Sequence, residues 1–422
     1  MRILFVVHKF PPDSVGGVET YTWSLARVLA EAGHETHVFY PLAGIPASQA
    51  QAEQDGIRLW RATLPLTRGH EGAAQQFWHT FRDLGIEAEF AQCLARVQPD
   101  IVHFQHVQGL SAQLIARAAR WPRILTLHDY WFFCANSQLV RPDGQPCAGP
   151  RRGYNCVDCL TIRPDLHWLR TLRPAVALPL AYRNGYLRQV IRSVPLFLAP
   201  SEFLRQQYIR QGFPGERIRV MELGLDVRRL AEVPGSDMPP PPARPHFGFL
   251  GALARHKGVH VLVQAFNQLP ETAALTIYGN ESAFPDYVAE LKAMATHPHL
   301  RFAGAVDYRH VGDALRQLDC LVVPSLWYEN SPMVIQEAYG VGIPVVASRL
   351  GALAEKVTDG TTGRLFAPGD SAALADILRG WVAHPEALAA LRANIHPGTT
   401  MEQHAQQMLE VYRATLQHAH NG

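Results

Sequence analysis

Short apolar runs alternate with amphipathic stretches along most of the chain. Stretches such as Glu19–Ala32 and Val259–Gln268 repeat apolar residues with a helical period, whereas the runs between them have the length of buried strands. Continuous apolar runs separated by helices are typical of parallel strands covered on both faces, so the pattern predicts a doubly wound α/β protein. The predicted strands are Ile3–Val7, His37–Tyr40, Ile101–Phe104, Ile124–Leu127, Leu196–Ala199, Phe247–Leu250, Ala274–Tyr278, Cys320–Val323 and Val345–Ala347.

A proline-rich stretch divides this pattern into two halves. The segment EVPGSDMPPPPARP, residues 232–245, contains a run of prolines that cannot join a helix or a central strand. A new strand-helix pattern starts directly after it. We therefore expect two Rossmann-like domains, 1–231 and 246–399, with a ligand cleft between them and 232–245 as the linker. A last helical stretch, 400–417, is expected to pack back on the first domain.

Composition and charge narrow the class of protein. A chain of 422 residues suits two domains, and 47% hydrophobic with 18% charged residues is typical of a soluble globular protein. A net charge of +2 gives no general reason to expect a nucleic-acid partner. The first apolar run meets His8 too early for a signal peptide, and no run reaches the roughly 18 apolar residues of a membrane span. We therefore expect a cytoplasmic protein.

The segment WYENSPMVIQEAYG, residues 327–340, places seven residues between Glu329 and Glu337. Ser331 followed by Pro332 predicts a helix start, which leaves Glu329 on the preceding loop and Glu337 inside the helix. The amides of the first turn then favour an anion between the two carboxylates. Two interpretations remain open at this point: a surface helix with two solvated acids, or a site for a nucleotide sugar.

A basic loop follows the strand that ends at Gly251. It contains Arg255, His256 and Lys257, and a helix is predicted to begin near Gly258. Cations at the carboxyl end of a parallel strand suit a diphosphate. The alternative is a solvated basic loop.

The first strand is followed by a long loop with adjacent glycines, Gly16 and Gly17, before the next helix. Adjacent glycines let the backbone approach a ligand closely, although the segment is not the GxGxxG of a classical dinucleotide site. Farther along, His128 and Asp129 directly follow a strand, at the rim where catalytic groups usually lie. A flexible loop and a structural histidine are the alternatives.

Together these motifs resemble a retaining glycosyltransferase of the GT-B fold, in the large family four. The resemblance rests on the glycine pair, the strand-terminal His128, the Lys257-Gly258 loop and the glutamate pair that leads into EAYGVGIPVVAS, in the family's order from Met1 to about Val382. It implies two Rossmann-like domains facing each other across a cleft. The family often has Arg where this chain has Ala252, and Arg255 is the nearest replacement.

The resemblance also implies a role for each matched residue. His128, Glu329 and Lys257 would take part in the reaction itself, and Glu337 would bind the ribose hydroxyls of the donor. The acceptor side is expected to include Glu19, His106 and Asp129. The expected donor-binding residues are Gly16, Gly17, Arg255, Lys257, Phe302, Gly304, Val306, Glu329, Asn330, Ser331, Pro332, Met333, Val334 and Glu337.

The implied reaction moves a sugar from a UDP- or GDP-sugar to a glycan or lipid-linked acceptor, in assembly of a surface polysaccharide or glycolipid. The chain has no Asp-x-Asp, so no metal or other cofactor is expected in catalysis. One alternative is a nucleotide-sugar epimerase or phosphorylase of the same fold. Another is a non-catalytic partner that binds sugar or lipid, although the intact Glu329, Lys257 and Glu337 argue against it.

Four of the six cysteines are clustered in the sequence at 134–159. Cys156 and Cys159 have the spacing of a metal-ligand pair, and Cys134 and Cys147 complete a set of four thiols. The residues between them are rich in Gly, Pro and Arg and have little apolar content to fold them. We therefore predict a structural zinc site, with an iron–sulfur cluster or thiols without metal as the alternatives. Cys93 and Cys320 are interpreted as core residues.

The segment 160–192 carries six arginines and one acidic residue, Asp165, interleaved with apolar residues and tryptophan. A basic amphipathic segment of this kind can lie on an anionic membrane. The interpretation of peripheral contact with the inner face of the cytoplasmic membrane agrees with a lipid-linked acceptor. The alternative is a set of helices whose arginines are solvated.

Overall fold

The computed structural model describes residues 1–14, 16–66, 73–162, 164–233 and 245–421. Contacts within these residues divide the chain into two compact units. Unit 1 contains Met1–Gln138, Ala148–Gly224 and Met401–Gly422, and unit 2 contains Leu139–Cys147 and Leu225–Thr400. Most of the predicted linker, residues 234–244, lies outside the described part of the chain.

Unit 1 is built on a twisted sheet of mostly parallel strands. Its strands are β1 Arg2–Val6, β2 Glu35–Ala43, β3 Gln51–Gln54, β4 Ile57–Leu64, β5 Ile101–Phe104, β6 Arg123–Thr126, β7 Leu196–Ala199 and β8 Ile218–Val220. Within the described residues the order is β3-β4-β2-β1-β5-β6-β7-β8. Phe5 of β1 lies between Val38 and His103, so the centre of the sheet is β2-β1-β5.

Helices cover both faces of this sheet. They are α1 Gly17–Glu31, α2 Ala73–His79, α3 Leu84–Val97, α4 Gln113–Arg117, α5 Cys156–Leu160, α6 Arg173–Ile191 and α7 Glu202–Arg210. A 3₁₀ segment, Pro164–Leu172, leads directly into α6. Leu25 and Leu29 of α1 pack with Phe5 and Val38 of the sheet in one apolar core, which follows from the helical spacing of the apolar residues in α1.

The hairpin of β3 and β4 departs from the all-parallel prediction. These two strands pair antiparallel, and Asp55 and Gly56 connect them with φ values of 54° and 74°. Two successive positive φ values are the geometry of a type I′ turn, for which Asp-Gly is a favoured pair. β4 mixes apolar with charged positions, so it lacks the continuous apolar run that predicts the central strands.

Unit 2 has a sheet whose described strands are all parallel. They are β9 His246–Leu250, β10 Ala274–Tyr278, β11 Leu300–Gly304, β12 Cys320–Val323, β13 Val345–Ser348 and β14 Gly363–Phe366, in the order β11-β10-β9-β12-β13-β14. Its helices are α8 Val259–Phe266, α9 Pro285–Met294, α10 Val311–Arg316, α11 Met333–Gly340, α12 Leu353–Lys356, α13 Ser371–Ala383 and α14 Glu386–Arg392.

Unit 2 begins earlier than the predicted linker. Leu225 donates its amide to the carbonyl of Thr399 at 2.9 Å, and Leu230 is buried in the core of this unit. The predicted first domain, 1–231, is therefore too long at its end, because the residues just before the prolines already pack with the second half of the chain.

The C-terminal helix, α15 Met401–Asn421, belongs to unit 1. Met401, Met408 and Tyr412 are buried in the same apolar core as β1 and α1. The Tyr412 hydroxyl lies 2.8 Å from His103 Nδ1 of β5, so a polar contact fixes the helix against the sheet. No helix in the described residues is long and apolar enough to span a membrane.

Candidate functional site

The strand order of unit 2 reverses between β9 and β12. From β9 the chain moves outward through β10 and β11, and from β12 it moves to the other side through β13 and β14. The crevice at the carboxyl ends of two such strands is the usual ligand site of a parallel α/β sheet. The loop after β9 contains Lys257, and the loop after β12 contains Glu329.

Lys257 and Glu329 form a largely buried ion pair at this position. The Lys257 Nζ atom lies 2.8 Å from Glu329 Oε1 and 5.0 Å from the centroid of the Trp327 ring. The same Oε1 accepts hydrogen bonds of 2.8 Å from Ser325 Oγ and Trp327 Nε1. Burial raises the pKa of Glu329, but Lys257 and the two neutral donors outweigh it and hold that pKa below its usual value. Glu329 is therefore a carboxylate at neutral pH, and Oε2 takes no part in these three contacts.

Gly258 brings the basic loop against the end of β12. Its φ is 70°, and a Cβ atom at this position would lie 1.9 Å from the carbonyl oxygen of Pro324. The Leu326 amide donates to the His256 carbonyl at 2.8 Å. Because any other residue would push the two loops apart, the glycine allows Lys257 to reach Glu329.

The helix after Glu329 begins later than predicted. Pro332 is its N-cap, Met333 is its first residue, and no side chain caps it. Ser331 is therefore not the cap, because it lies one residue before the position from which a hydroxyl reaches the first-turn amides. Its Oγ atom is buried and has no hydrogen-bond partner among the described residues. The amides of Met333 and Val334 open the helix and have no acceptor within it. These amides and the buried Ser331 hydroxyl closely follow Glu329 in the chain.

Glu337 lies inside α11 and is almost fully buried. Its Oε1 atom is 2.8 Å from Arg229 Nη1, and the Arg229 guanidinium lies 4.4 Å from the centroid of the Tyr308 ring. Burial raises the pKa of Glu337, and the Arg229 charge opposes that effect. Arg229 was not among the predicted site residues. Its only available signal was a basic residue beside the proline-rich stretch.

Arg255 faces a different helix. Its guanidinium pairs with Glu290 of α9 and lies 5.0 Å from the centroid of the Tyr287 ring, and its side chain is 61% exposed. The structure therefore does not bring Arg255 to the Lys257–Glu329 pair.

The other predicted donor-binding residues are distributed around the same unit. Asn330 is buried on the loop beside Glu329, and Val334 lies in the first turn of α11. Phe302 and Gly304 belong to β11, which β10 separates from β9, and Val306 follows this strand.

The strand order of unit 1 reverses in the same way, between β1 and β5. His8 follows β1, His106 follows β5, and their ring centroids are 4.6 Å apart. His106 Nε2 lies 3.0 Å from Asp129 Oδ2, and Asp129 Oδ1 accepts a 2.8 Å hydrogen bond from the Trp131 amide. The predicted acceptor-side residues His106 and Asp129 therefore lie together, beside His8, which was not among the predicted site residues.

The glycine pair opens α1 and makes room for a carboxylate. Gly16 is the N-cap and Gly17 the first residue of the helix. A Cβ atom on Gly16 would lie 2.5 Å from Glu19 Oε2, and Glu19 Oε1 is 3.6 Å from His8 Nε2. Gly16 therefore leaves the space in which the buried Glu19 carboxylate approaches His8.

His128 is held by a hydrogen bond between its Nε2 atom and Gln105 Oε1, at 2.7 Å. A carboxamide oxygen only accepts, so on this assignment Nε2 carries the proton and Nδ1 keeps a lone pair. Burial, with a smaller effect of His106, lowers the pKa of His128 to about 3. The same two causes lower the pKa of His8 to about 2. Both imidazoles are therefore neutral at neutral pH.

The cysteines do not reveal a metal site by their geometry. None of the six is in a disulfide, and Cys134 Sγ lies 2.7 Å from Asn136 Oδ1. Among the described residues, no three His, Cys, Asp or Glu side chains are gathered as a metal ion would require. The predicted zinc site therefore rests on sequence spacing alone and stays a prediction. Cys93 and Cys320 are core residues, as expected, and burial raises the pKa of both thiols.

Two family models match the chain. "Glycosyltransferase Family 4" matches residues 15–229, which is half of the chain, and "Glycosyl transferases group 1" matches residues 244–384.

The chain is also similar to characterised proteins over almost its whole length. It is 30% identical to a D-inositol 3-phosphate glycosyltransferase of Xylanimonas cellulosilytica, over 96% of this chain and 94% of that protein. It is 25% identical to a glycogen synthase of Mycobacterium tuberculosis, over 92% and 87% of the two chains. The solved structure of HepE from Anabaena in complex with UDP and glucose superimposes with a TM-score of 0.65 at 20% identity, over 98% of this chain and 99% of that one. This structural likeness confirms the predicted GT-B fold.

Proposed function

The chain belongs to the family 4 glycosyltransferases, and we propose that it is a retaining enzyme that moves a hexose from a nucleotide-diphosphate sugar to a lipid-linked or glycan acceptor. The observation that carries the proposal is the buried Lys257–Glu329 pair at the strand reversal of unit 2. An ammonium, a carboxylate with one available oxygen and a helix N-terminus are adjacent there. These groups match the diphosphate and the sugar hydroxyls of such a donor.

The diphosphate of the donor is proposed to lie between Lys257 and the start of α11. Lys257 supplies the positive charge, and the amides that open α11 together with the Ser331 hydroxyl supply hydrogen-bond donors. The Ser331 hydroxyl has no partner among the described residues. Breaking the sugar–phosphate bond increases the negative charge on the diphosphate. Fixed donors aimed at that charge stabilise the transition state more than the bound donor.

The sugar and the ribose are assigned to the two glutamates. Glu329 accepts from sugar hydroxyls through Oε2, since its Oε1 is occupied by Lys257, Ser325 and Trp327. Glu337 accepts from ribose hydroxyls. A uridine nucleotide is the preferred donor, because the similar structure of HepE binds UDP and glucose.

The residues of unit 1 at its own strand reversal are proposed to recognise the acceptor. His128 is neutral and offers Nδ1 as an acceptor for a hydroxyl, while His106 and Asp129 form an adjacent polar pair. Retention requires attack from the face that the diphosphate leaves. The departing phosphate is then the group that takes the acceptor proton, and no protein nucleophile is needed.

The acceptor is proposed to be lipid-linked, because unit 1 exposes an apolar face along the segment that leads into α6. Leu178 and Tyr182 are 71% and 63% exposed and share one side of α6, and Trp168 before the helix is 61% exposed. Exposed aromatic and leucine side chains beside arginines suit the inner face of the cytoplasmic membrane.

The arginines of this segment contribute less charge to that face than the sequence suggests. Arg183 is buried with its guanidinium 4.9 Å from the centroid of the Trp131 ring, and burial lowers its pKa to about 10. Arg173 pairs with Asp158. Arg170 and Arg192 are exposed, and Arg163 lies outside the described residues.

The experiment that tests the proposal is incubation of the purified protein with a panel of UDP-, GDP- and ADP-sugars, with and without membrane lipid extract. We expect one UDP-sugar to be consumed, with UDP released and the sugar found in a lipid product of unchanged anomeric configuration. A Glu329→Gln variant is the matched control and should release at least about 100-fold less UDP. Release of a free or epimerised sugar without an acceptor product would contradict a transferase.

A further inference from the structure

The ion pair of Arg229 and Glu337 joins two groups that lie far apart in the sequence and are both nearly buried. Arg229 Nη1 is 2.8 Å from Glu337 Oε1, and the two side chains are 13% and 7% exposed. A buried ion pair of this kind is weak evidence for stability, since desolvation of two charges offsets most of their attraction. A function therefore explains this ion pair better than a gain in stability does.

Arg229 is held next to Glu337 by a short turn that packs tightly against the core of unit 2. The turn is the 3₁₀ segment Val227–Leu230, capped by Asp226, whose Oδ1 accepts from the Arg228 amide at 3.2 Å. Leu230 is 4% exposed and packs in the core of unit 2.

Two glycines give the space in which this turn lies. A Cβ atom on Gly312 of α10 would lie 2.6 Å from the Leu230 carbonyl oxygen, and one on Gly340 of α11 would lie 2.4 Å from Leu230 Cδ1. Arg316 of α10 also donates to the Leu230 carbonyl. The backbone that carries Arg229 is thus held against the helix that carries Glu337, so the guanidinium has little freedom to move.

The remaining contacts of Arg229 fix its plane and leave one donor unused. Its guanidinium lies 4.4 Å from the centroid of the Tyr308 ring. Its Nε atom is buried and has no hydrogen-bond partner among the described residues. A residue retained for stability alone would be expected to satisfy that donor, because a buried N–H group without a hydrogen-bond partner destabilises the folded protein. Arg229 occupies Oε1 of Glu337 and leaves Oε2 for another donor.

We propose that Arg229 is a positioning residue for the ribose of the donor: by fixing Oε1 of Glu337 it aims Oε2 at the ribose hydroxyls. The inference rests on the proposed role of Glu337 in donor binding. Arg229 itself need not touch the nucleotide, since it acts through the carboxylate. Its contribution therefore depends on the ribose hydroxyls and not on the base or the diphosphate.

The test compares the affinity for UDP with that for 2′,3′-dideoxy-UDP, measured by calorimetry on the full chain. We expect the wild-type protein to bind the dideoxy nucleotide at least about tenfold more weakly, because it leaves a buried carboxylate without its hydroxyl partners. Arg229→Gln should reduce this preference to about twofold or less, and Arg229→Lys should restore part of it. Arg309→Gln, at an exposed arginine of the same unit, is the matched control and should keep the full preference.

The double variant Arg229→Gln/Glu337→Gln shows whether Arg229 acts through Glu337 or contributes to ribose binding independently of it. If Arg229 acts through Glu337, adding Arg229→Gln to Glu337→Gln should not change the ribose preference further. This variant also removes both buried charges, so it remains measurable if Arg229→Gln alone fails to fold. An additive loss in the double variant would overturn the inference.

Two other outcomes show whether a failure lies in the positioning role of Arg229 or in the donor-binding role of Glu337. If Glu337→Gln loses the ribose preference while Arg229→Gln keeps it, Arg229 has no positioning role and the donor assignment of Glu337 stands. If Glu337→Gln keeps the preference, or if the wild-type protein has none, the donor assignment of Glu337 is wrong and the inference falls with it.

Discussion

The Lys257 ammonium lies 2.8 Å from Glu329 Oε1, although the two residues are 72 positions apart in the sequence. Replacing Lys257 by methionine keeps much of its volume and removes its charge. We expect kcat to fall about 10²- to 10³-fold, because a fixed cation aimed at the leaving diphosphate is lost. Steady-state rates with the donor found in the sugar panel would measure the effect.

Arg255→Met is the matched control for that variant. Arg255 is a cation two residues earlier in the same turn, but its guanidinium pairs with Glu290. We expect its replacement to change kcat less than about threefold. If Arg255→Met were the more damaging change, the diphosphate would lie on the α9 side of the loop and the assignment of Lys257 would be wrong.

The histidines of unit 1 should make its stability depend on pH. Burial lowers the pKa of His8, His128 and His404 to about 2, about 3 and about 4, against 6.5 in the unfolded chain. Below pH 6.5 the unfolded chain binds protons that the folded chain does not, so the free energy of unfolding falls as pH decreases. Each histidine contributes up to about 1.4 kcal/mol per pH unit between its folded and unfolded pKa.

A single substitution isolates one of these contributions. In His404→Gln the slope of unfolding free energy against pH, measured by denaturant titration between pH 6.5 and 5, should be smaller by about 1 kcal/mol per unit, since the unfolded histidine is only half protonated at pH 6.5. The control is Gln264→Asn at an exposed position of unit 2, which removes no titratable group and should leave the slope unchanged. Equal slopes in the wild-type and His404→Gln proteins would show that His404 titrates alike in the folded and unfolded chains.

The central strands could be predicted from the sequence, whereas the edges could not. Ile101–Phe104, Ala274–Tyr278 and Cys320–Val323 have the predicted bounds, because strands buried on both faces are continuous apolar runs. The unpredicted strands are β3, β4, β8, β11 and β14. All of them except β4 lie at sheet edges, and β4 pairs with the edge strand β3. Edge strands expose part of their surface, so their sequences mix polar with apolar residues and resemble loops.

The residues of the candidate sites also differ in whether their positions could be predicted from the sequence. The positions of Lys257, Glu329 and His128 at strand ends could be predicted, because each lies in the loop after a recognisable strand; their roles in the reaction stay a prediction. The positions of Arg229 and His8 could not, since their contacts are with residues far away in the sequence and no local pattern predicts them. The start of α11 was predicted one residue early because Ser-Pro suits a helix start, whereas Pro332 here is the cap itself.

The four clustered cysteines predict about one zinc ion per chain. We expect metal analysis of the purified protein to find it, and Cys156→Ser to lose it together with several degrees of melting temperature. Cys93→Ala, at a buried thiol outside the cluster, should keep the metal. A stably folded wild-type protein without zinc would favour thiols without metal.

The apolar face of α6 predicts binding to anionic membranes. Leu178→Glu and Tyr182→Glu place carboxylates on two strongly exposed positions of one helical face, so they should repel anionic lipid and remove buried apolar area at the membrane surface. Co-sedimentation with vesicles containing phosphatidylglycerol should show at least about a tenfold loss of binding for the double variant. Phe284→Glu, at an exposed position of unit 2, is the control and should bind like the wild-type protein. If the double variant still sediments with the vesicles, the exposed side chains of α6 do not contact the membrane and its arginines are simply solvated.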